Sequence, residues 1–594
     1  MRFLAYLYGF DTEAIRKGDE YVFFSFQVAD KWTSLISYDI KDLVNIHKLL
    51  NIPYRKHKPT LYFVCHNLDF DFGIIVKALS ETGIDFNFKV RYNKSQMISA
   101  SLYLKNERRP LIRFIGLENY VGRIPLSEVA KQFGLEKLPK PKFLGIREPR
   151  TKKEKEYFER YAINDAKICY HVFRRIYDQA LIYNPNLKLN APESTMPALA
   201  LRLFTSKVKI PQYEHRFDKI IEKSYRGGRC EAIWRGKITD ELFGTIYVYD
   251  FNSLYPYVMM TSTFPNTEDY TRGLDLEREG FALVTVKVDE DIITPLGVKR
   301  EVLDCGRKTE KLIFPSGKFK DIFTFSELRY LEDKGFGKIL KVHVAYNFEP
   351  IDSPFREFIE FWYRVRKEKP EFKFVAKLLM NSLYGKFGTR FYNVYVRPLW
   401  SFEKLEEMVG WTPNWNLNIV RKVVKSEKMP FVGINPLWAS YITANARLVL
   451  FDKMHEIIRK GHNVFYCDTD SIFTDYKMMS SDEIGKLKLE FECSEVTIFR
   501  SKFYFIRPVD GELIRKVKGI PNGANFEIKN DVAEFSFERV VKLRESLQRK
   551  KKPLEVEKAL RRIRLGSDGK RIYRKEDINP IKENTDSIPL HLRL

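Results

Sequence analysis

Over roughly the first 190 residues, short apolar runs alternate with amphipathic stretches. The runs at 21–28, 61–65 and 111–115 are aromatic or β-branched and bounded by polar residues, which predicts strands. Helical stretches lie between them, so the alternation predicts an α/β unit. Asn184, Pro185, Asn186 and Pro192 interrupt the pattern, and the expected unit is 1–190. An α+β region follows from about Tyr225 to about Tyr476, broken at about 262–350 by a strand-like, charge-rich stretch. At 355–388, Phe355, Phe358, Trp362 and Val365 recur at helical spacing and predict a helical hairpin. Beyond about residue 535 the chain reads as mainly basic helix, above all 538–552, which ends in Arg549, Lys550, Lys551 and Lys552. Such a charge run is ordinarily a solvated face.

At 594 residues the chain is too long for one core, and a composition of 44% hydrophobic and 14% aromatic residues excludes a disordered chain. Lys and Arg number 102 against 78 Asp and Glu, a formal net charge of +24. That excess favours a polyanionic partner, though a basic protein on an anionic membrane would share it. No signal peptide and no run of 18 apolar residues is present, and the six cysteines form no C-x-x-C pair. The expectation is a reduced, cytoplasmic protein with no membrane span, zinc site or disulfide framework.

Two sets of acids carry the chemistry. In YVYDFNSLYP (247–256) an apolar, strand-like approach ends at Asp250, and Pro256 breaks the extended run. In NVFYCDTDSIF (463–473) Asp468 and Asp470 are two apart, so they share a face of a strand or meet across a tight turn at Thr469. Three clustered carboxylates are what two Mg²⁺ ions need to activate a hydroxyl and stabilise a leaving pyrophosphate. Between them, KLLMNSLYGKFG (377–388) as a helix puts Lys377, Asn381 and Tyr384 on one stripe, with Gly385 leaving the surface flat. Near the N-terminus, Asp11 and Glu13 follow an apolar strand. HNLDFD (66–71) follows another, and Tyr161 and Asp165 stand at i, i+4 on a helix. Asp11, Glu13, Asp71 and Asp165 would hold two metals that activate water against a phosphodiester, with Tyr161 orienting the water.

Each piece alone is common. Taken in order, D-x-x-S-L-Y-P, K-x-x-x-N-S-x-Y-G and Y-x-D-T-D-S resemble motifs A, B and C of family B DNA polymerases. D-x-E, N-x-x-F-D and Y-x-x-x-D resemble the three motifs of DEDD 3′→5′ proofreading exonucleases. The resemblance implies a ribonuclease H-like α/β exonuclease domain joined to an α+β right-hand polymerase of palm, fingers and thumb. It makes Asp250 and Asp470 the main metal ligands, with the Phe251 carbonyl assisting and Asp468 nearby. Tyr255 becomes the steric gate against a 2′-hydroxyl. Lys377, with one of Arg364, Arg366 or Lys367, would hold the triphosphate, and Tyr384 would stack at the nascent pair. Asn67 and Phe70 would grip a single-stranded 3′ end, while Lys502, Tyr504 and Lys518 would meet the template–primer. Tyr225, Gly227 and Gly228 match a Y-x-G-G linker between the two domains.

Three departures stand out. Asp69 is an alternative acid to Asp71, Ala14 stands where relatives place a hydroxyl, and Gly116-Leu117-Glu118 replaces a hydroxyl–Leu element. A basic helper is expected within 138–142, with Lys140 the choice.

Length, the lack of an extra N-terminal domain or cysteine clusters, and two insertions resemble the protein-primed branch, encoded by viruses and other linear elements. The expected partners are DNA template–primer, dNTPs and a terminal protein primer; the expected cofactor is Mg²⁺ or Mn²⁺, two ions per site. The expected parts are exonuclease 1–190, palm 191–261 and 434–530, fingers 351–390 and thumb 531–594. Insertions 262–350 and 391–433 would contact the terminal protein and encircle the template. The alternatives are a DNA-primed family B polymerase, or an exonuclease whose polymerase domain has decayed.

Overall fold

The computed structural model describes residues 5–54, 57–93, 96–104, 107–211, 217–387, 392–398, 410–414, 419–425, 435–521, 524–529, 532–545 and 554–594. The chain divides into two units, each assembled from separated stretches.

The first unit comprises residues 1–207, 361–432 and 538–559. Its centre is a mixed sheet in which Leu7–Lys17 runs parallel to Leu61–Cys65, and Leu61–Cys65 parallel to Ile112–Gly116. Antiparallel strands extend the sheet on both sides. Phe10, Phe26, Phe63, Phe72 and Phe114 form the heart of its core. The helix Lys152–Ala180, capped by Thr151 accepting the Glu154 amide at 3.1 Å, crosses the strand Leu7–Lys17. That crossing is close enough to demand glycine, since a Cβ on Gly9 would stand 1.7 Å from the Ala166 carbonyl oxygen. Gly9→Ala is therefore expected to destabilise this unit by about 3 kcal/mol or more, the cost of forcing atoms into a packed interface. A lowered unfolding transition checks it; an unchanged transition refutes it.

Two features of this unit differ from the sequence reading. The break expected near 185–192 falls after residue 207, because the helix Met196–Phe204 packs on Lys373–Phe387. In the 391–433 insertion, Tyr392–Pro398 pairs antiparallel with Phe86–Asn93, and Ile419–Lys425 pairs with Tyr392–Pro398. Val394, Val396 and Ile419 join the core, so this insertion completes the sheet of the first unit. The helices Arg356–Glu368 and Lys373–Phe387 occupy the stretch expected as a hairpin, with Phe358, Trp362 and Val365 buried.

The second unit comprises 208–360, 433–537 and 560–594. Its main sheet is antiparallel where Ile246–Phe251 lies between Ser471–Thr474 and Leu487–Arg500. The helices Leu254–Thr261 and Pro436–Arg459 cover one face through Leu254, Val258, Leu450 and Met454. The 262–350 insertion forms a second sheet around Glu279–Val288 and a separate hairpin, Val298–Asp304 with Arg307–Ile313.

The C-terminal stretch departs most from expectation. Val532–Val540 is a strand, with Ala533 and Phe535 buried at period two; Arg549, Lys550, Lys551 and Lys552 lie outside the described residues. Alternation in VAEFSFERV accounts for this strand, which takes in the first three residues of the 538–552 stretch. The segment 531–594 is also divided. Asn584–Pro589 pairs with Trp234–Thr239, so the end of the chain extends the main sheet of the second unit.

Candidate active sites

In the first unit, sheet and helix converge on a group of acids. Asp11 and Glu13 lie two apart on Leu7–Lys17, Asp165 faces them from Lys152–Ala180, and ligand atoms of these three fall within 4.8 Å of one another. Asp71, on the helix Leu68–Ser80, accepts from the Thr12 hydroxyl at 2.7 Å and the Thr12 amide at 3.2 Å. Its other oxygen is buried without a hydrogen-bond partner. Asp69, the other acid of the second motif, accepts from Lys542 Nζ at 3.1 Å.

Burial, then the neighbouring carboxylates, push Asp11 well above the usual carboxylate range. Burial is also the main cause that raises Glu13, Asp71 and Asp165. A cluster of this kind resists ionising unless a cation shares it. Its donors are all oxygen and one is left unpaired, a set that suits a hard divalent cation.

Lys137 was missed by sequence reasoning. Its ammonium lies 2.5 Å from Asp165 Oδ1 and 3.4 Å from the Tyr161 hydroxyl. Lys140, the expected helper, acts on Glu13 through its charge. Lys137 lies one position before the 138–142 stretch.

The Gly116-Leu117-Glu118 departure also has a physical role. Glu118 accepts the amides of Asn67 at 3.2 Å and Leu68 at 3.1 Å, closing the start of Leu68–Ser80. Asn67 itself is exposed in the left-handed region (φ 65°), and the Phe70 ring meets Tyr21 edge-on at 5.5 Å.

In the second unit, register gathers the other acids. Asp250 and Asp468 both pair with Ser471, from the strands on either side of it. Thr469, at φ 67°, makes the tight turn, and the Asp470 amide donates to the Asp468 carbonyl at 2.7 Å. The Phe251 amide donates to the Asp470 carbonyl at 2.7 Å, tying the two segments together. Lys502 Nζ holds Asp468 at 2.6 and 2.8 Å. Burial pulls the Lys502 ammonium down, but its bond to Asp468 leaves it above the ordinary lysine value. Tyr504 is pushed up to about 12 by burial and then by Asp468. Asp250, Asp468, Asp470 and the Phe251 carbonyl are again oxygen donors only.

The strand ends at Phe251, Ser253 turns through φ 58°, and the helix Leu254–Thr261 begins, placing half-buried Tyr255 in its first turn. The Tyr225-Arg226-Gly227-Gly228 stretch is packed against this site rather than spanning open space. Arg226 is buried and donates to Asp321 at 2.8 Å, and a Cβ on Gly228 would meet the Thr469 side chain at 2.8 Å. Exposed Lys518 donates its amide to the Lys502 carbonyl at 3.0 Å.

Lys377, Asn381 and Tyr384 lie on Lys373–Phe387, in the first unit, away from its buried Val375, Leu379, Met380 and Leu383. A Cβ on Gly385 would meet no atom within 4 Å. Of the three upstream cations, Arg364 and Lys367 are exposed and Arg366 is half-buried.

Phi29 DNA polymerase complexed with primer-template DNA and incoming nucleotide substrates matches with a TM-score of 0.68 at 17% identity, over 94% of this chain and 99% of that one. The chain thus shares the fold of that polymerase. The family model for DNA polymerase type B, organellar and viral, matches residues 119–398. It is 24% identical over 551 residues to the DNA polymerase of Bacillus phage phi29, covering 84% of this chain and 88% of that one. It is 26% identical over 506 residues to a probable DNA polymerase of Neurospora intermedia, covering 79% of this chain. The chain spans about half the length of that fungal relative, 48%. Among the described residues no helix is long and apolar enough to cross a membrane.

Proposed function

We propose that this chain is a template-directed DNA polymerase with a 3′→5′ proofreading exonuclease, and that its first nucleotide is added to a protein. The observation that carries the reading is the junction of Asp250, Asp468 and Asp470 at one point of the palm sheet, within segments matching motifs A and C. A separate buried acid cluster in the other unit supports the second activity.

In the polymerase site Asp250, Asp470 and the Phe251 carbonyl would hold two Mg²⁺ or Mn²⁺ ions. In the exonuclease site Asp11, Glu13, Asp71 and Asp165 would hold two more. Bound there, such ions activate an attacking oxygen and neutralise charge on the leaving one. Lys377, with Arg364, Arg366 or Lys367, binds the triphosphate of an incoming dNTP; Asn381 and Tyr384 flank the nascent pair. Lys502, Tyr504 and Lys518 bind the primer end and its template, beside the Tyr225, Gly227 and Gly228 stretch. Asn67 and Phe70 hold a frayed 3′ end, and Tyr161 orients the attacking water.

A primer-extension gel with and without dNTPs tests the reading. Lengthening with dNTPs and shortening without them are expected; shortening alone would leave an exonuclease with a decayed polymerase. Tyr255→Val is expected to admit ribonucleotides far more readily, because the ring no longer fills the space of a 2′-hydroxyl. Unchanged sugar discrimination would remove Tyr255 from this role.

Protein priming is supported by the likeness to the phage phi29 enzyme and by the 262–350 and 391–433 insertions. A terminal protein would present a Ser, Thr or Tyr hydroxyl in place of the DNA 3′-hydroxyl. Incubation with the cognate protein and labelled dNTP should yield a covalent protein–dNMP adduct. Without an adduct, the enzyme is DNA-primed.

A further inference from the structure

The lysine that holds Asp468 sits on a turn that other parts of the chain brace. Arg500 and Phe503 pair at the end of the hairpin formed by Leu487–Arg500 and Phe503–Pro508, so Ser501 and Lys502 are its two turn residues. Lys502 has φ 61°, a left-handed conformation that a residue bearing a side chain adopts only against steric resistance. From within the palm, its amide donates to the Tyr466 hydroxyl at 2.9 Å and its carbonyl accepts from the Lys518 amide at 3.0 Å.

The other support comes from the 262–350 insertion. Arg500 Nη2 donates to Asp304 Oδ1 at 2.5 Å, and Asp304 stands at the tip of the hairpin Val298–Asp304 and Arg307–Ile313. The second Asp304 oxygen accepts from Lys311 Nζ at 2.6 Å, and that ammonium also donates to the Asp568 carbonyl at 2.8 Å. Arg500 Nη1 reaches the Arg564 carbonyl at 3.3 Å. Two residues beyond Asp568, Lys570 Nζ donates to the Cys230 carbonyl at 2.6 Å, and Ser501 Oγ donates to the same carbonyl at 3.4 Å. Cys230 is the strand partner of Asp468. The hairpin tip, the 564–570 stretch and the strand beside Asp468 thus surround the Ser501–Lys502 turn. Burial alone would raise the Asp304 acid, yet hydrogen bonds from Lys311 and Arg500 hold it below the ordinary aspartate value.

We propose that Asp304 is a positioning residue for the polymerase site, acting through Arg500 to keep the Lys502 ammonium at Asp468. The proposal rests on the reading that Lys502 binds the primer end. Without Asp304, Arg500 loses a charged partner and the turn loses one of its braces, so its left-handed state is held less firmly. Lys502 then meets the primer end in fewer molecules, while Asp250 and Asp470 stay in place. The insertion would in this way serve every nucleotide addition, and not only encounters with a partner.

Single-nucleotide insertion at saturating dNTP, with primer–template varied, tests this on the full chain. Asp304→Ala should raise the KM for primer–template about tenfold, the loss expected when one charge-assisted contact goes. Asp304→Glu should recover most of it, and Arg500→Lys should fall between. Degradation of a single-stranded oligonucleotide and the melting temperature should stay at wild-type values. Because the path ends at Lys502, adding Asp304→Ala to Lys502→Ala should cost little more than Lys502→Ala alone. Full multiplication of the two defects overturns the proposal, as does a joint fall in melting temperature and both activities. A defective Lys502→Ala beside a normal Asp304→Ala sinks the positioning role alone. A normal Lys502→Ala sinks the reading of Lys502 and the proposal with it.

Discussion

Replacing Asp470 by alanine should lower primer extension by roughly a thousandfold or more, while primer–template binding changes little. The size follows from what the carboxylate is for: charge aimed at a transition state is lost from the rate and not from ground-state affinity. The local structure makes the substitution clean. The Asp470 amide and carbonyl, which tie it to Asp468 and Phe251, belong to the backbone and survive in the variant. Asp468→Ala should behave differently, because its carboxylate is the partner of Lys502 Nζ; much of its defect should appear in the KM for primer–template. Single-turnover incorporation and a gel-shift titration separate the two quantities. Extension by Asp470→Ala within tenfold of wild type would remove it from the catalytic set.

The second large effect concerns the exonuclease cluster. Asp11→Asn combined with Asp165→Asn should abolish degradation of single-stranded 3′ ends, by roughly a thousandfold or more, and leave extension intact. The acids belong to the first unit and Asp250 and Asp470 to the second, so one chemistry is removable without the other. The single variant Asp11→Asn makes a less obvious prediction about stability. Asp11, Glu13, Asp71 and Asp165 all have folded-state values raised above those of the unfolded chain. Glu118 nearby is raised to about 7, mainly by burial. Groups shifted upward stabilise the fold fully at pH below their unfolded values, and that contribution disappears as pH rises through the folded values. In chelator the protein should therefore lose stability between about pH 5 and about pH 8, and a divalent cation should restore it. The amide introduced by Asp11→Asn would remove one of the crowded charges, and its oxygen would still accept from Gln27, which lies 3.1 Å from Asp11 Oδ2. The metal-free variant should thus melt higher than wild type at pH 8, by about 1–2 kcal/mol of stability, and gain less from Mg²⁺. A wild-type protein whose melting temperature ignores both pH and Mg²⁺ would contradict this account.

What the sequence disclosed depended on how local the determinants were. Asp250 and Asp468 were legible because each lies at the end of a short apolar strand, and Asp470 because it follows Asp468 by two residues, in the turn beyond that end. The turn at Thr469 was one of two stated options, and only the pairing of Asp468 with Ser471 selects it. Lys137 was not legible, because its partner lies 28 residues further along and no periodicity links them. Glu118 looked like a departure from a motif; its role is visible only once two segments some 50 residues apart are brought together. The part of the 391–433 insertion in the first unit's sheet was not legible, because a strand that joins a distant sheet edge reads like any other short strand. Residues 546–552 of the 538–552 stretch lie outside the described residues, and its first three residues end the strand Val532–Val540.

Pairing of Asn584–Pro589 with Trp234–Thr239 also sets a timetable for biosynthesis. During synthesis, residues 230–500 leave the ribosome with one edge of their sheet open, and the strand that closes it arrives about 350 residues after the strand it joins. A ribosome stalled before residue 584 would release a chain with Asp250, Asp468 and Asp470 all made but with Arg571, which reaches buried Glu231 at 3.4 Å, still without its binding strand. The strand that closes the second unit's sheet would thus arrive after the stretches of the first unit, which run to residue 559, have been made.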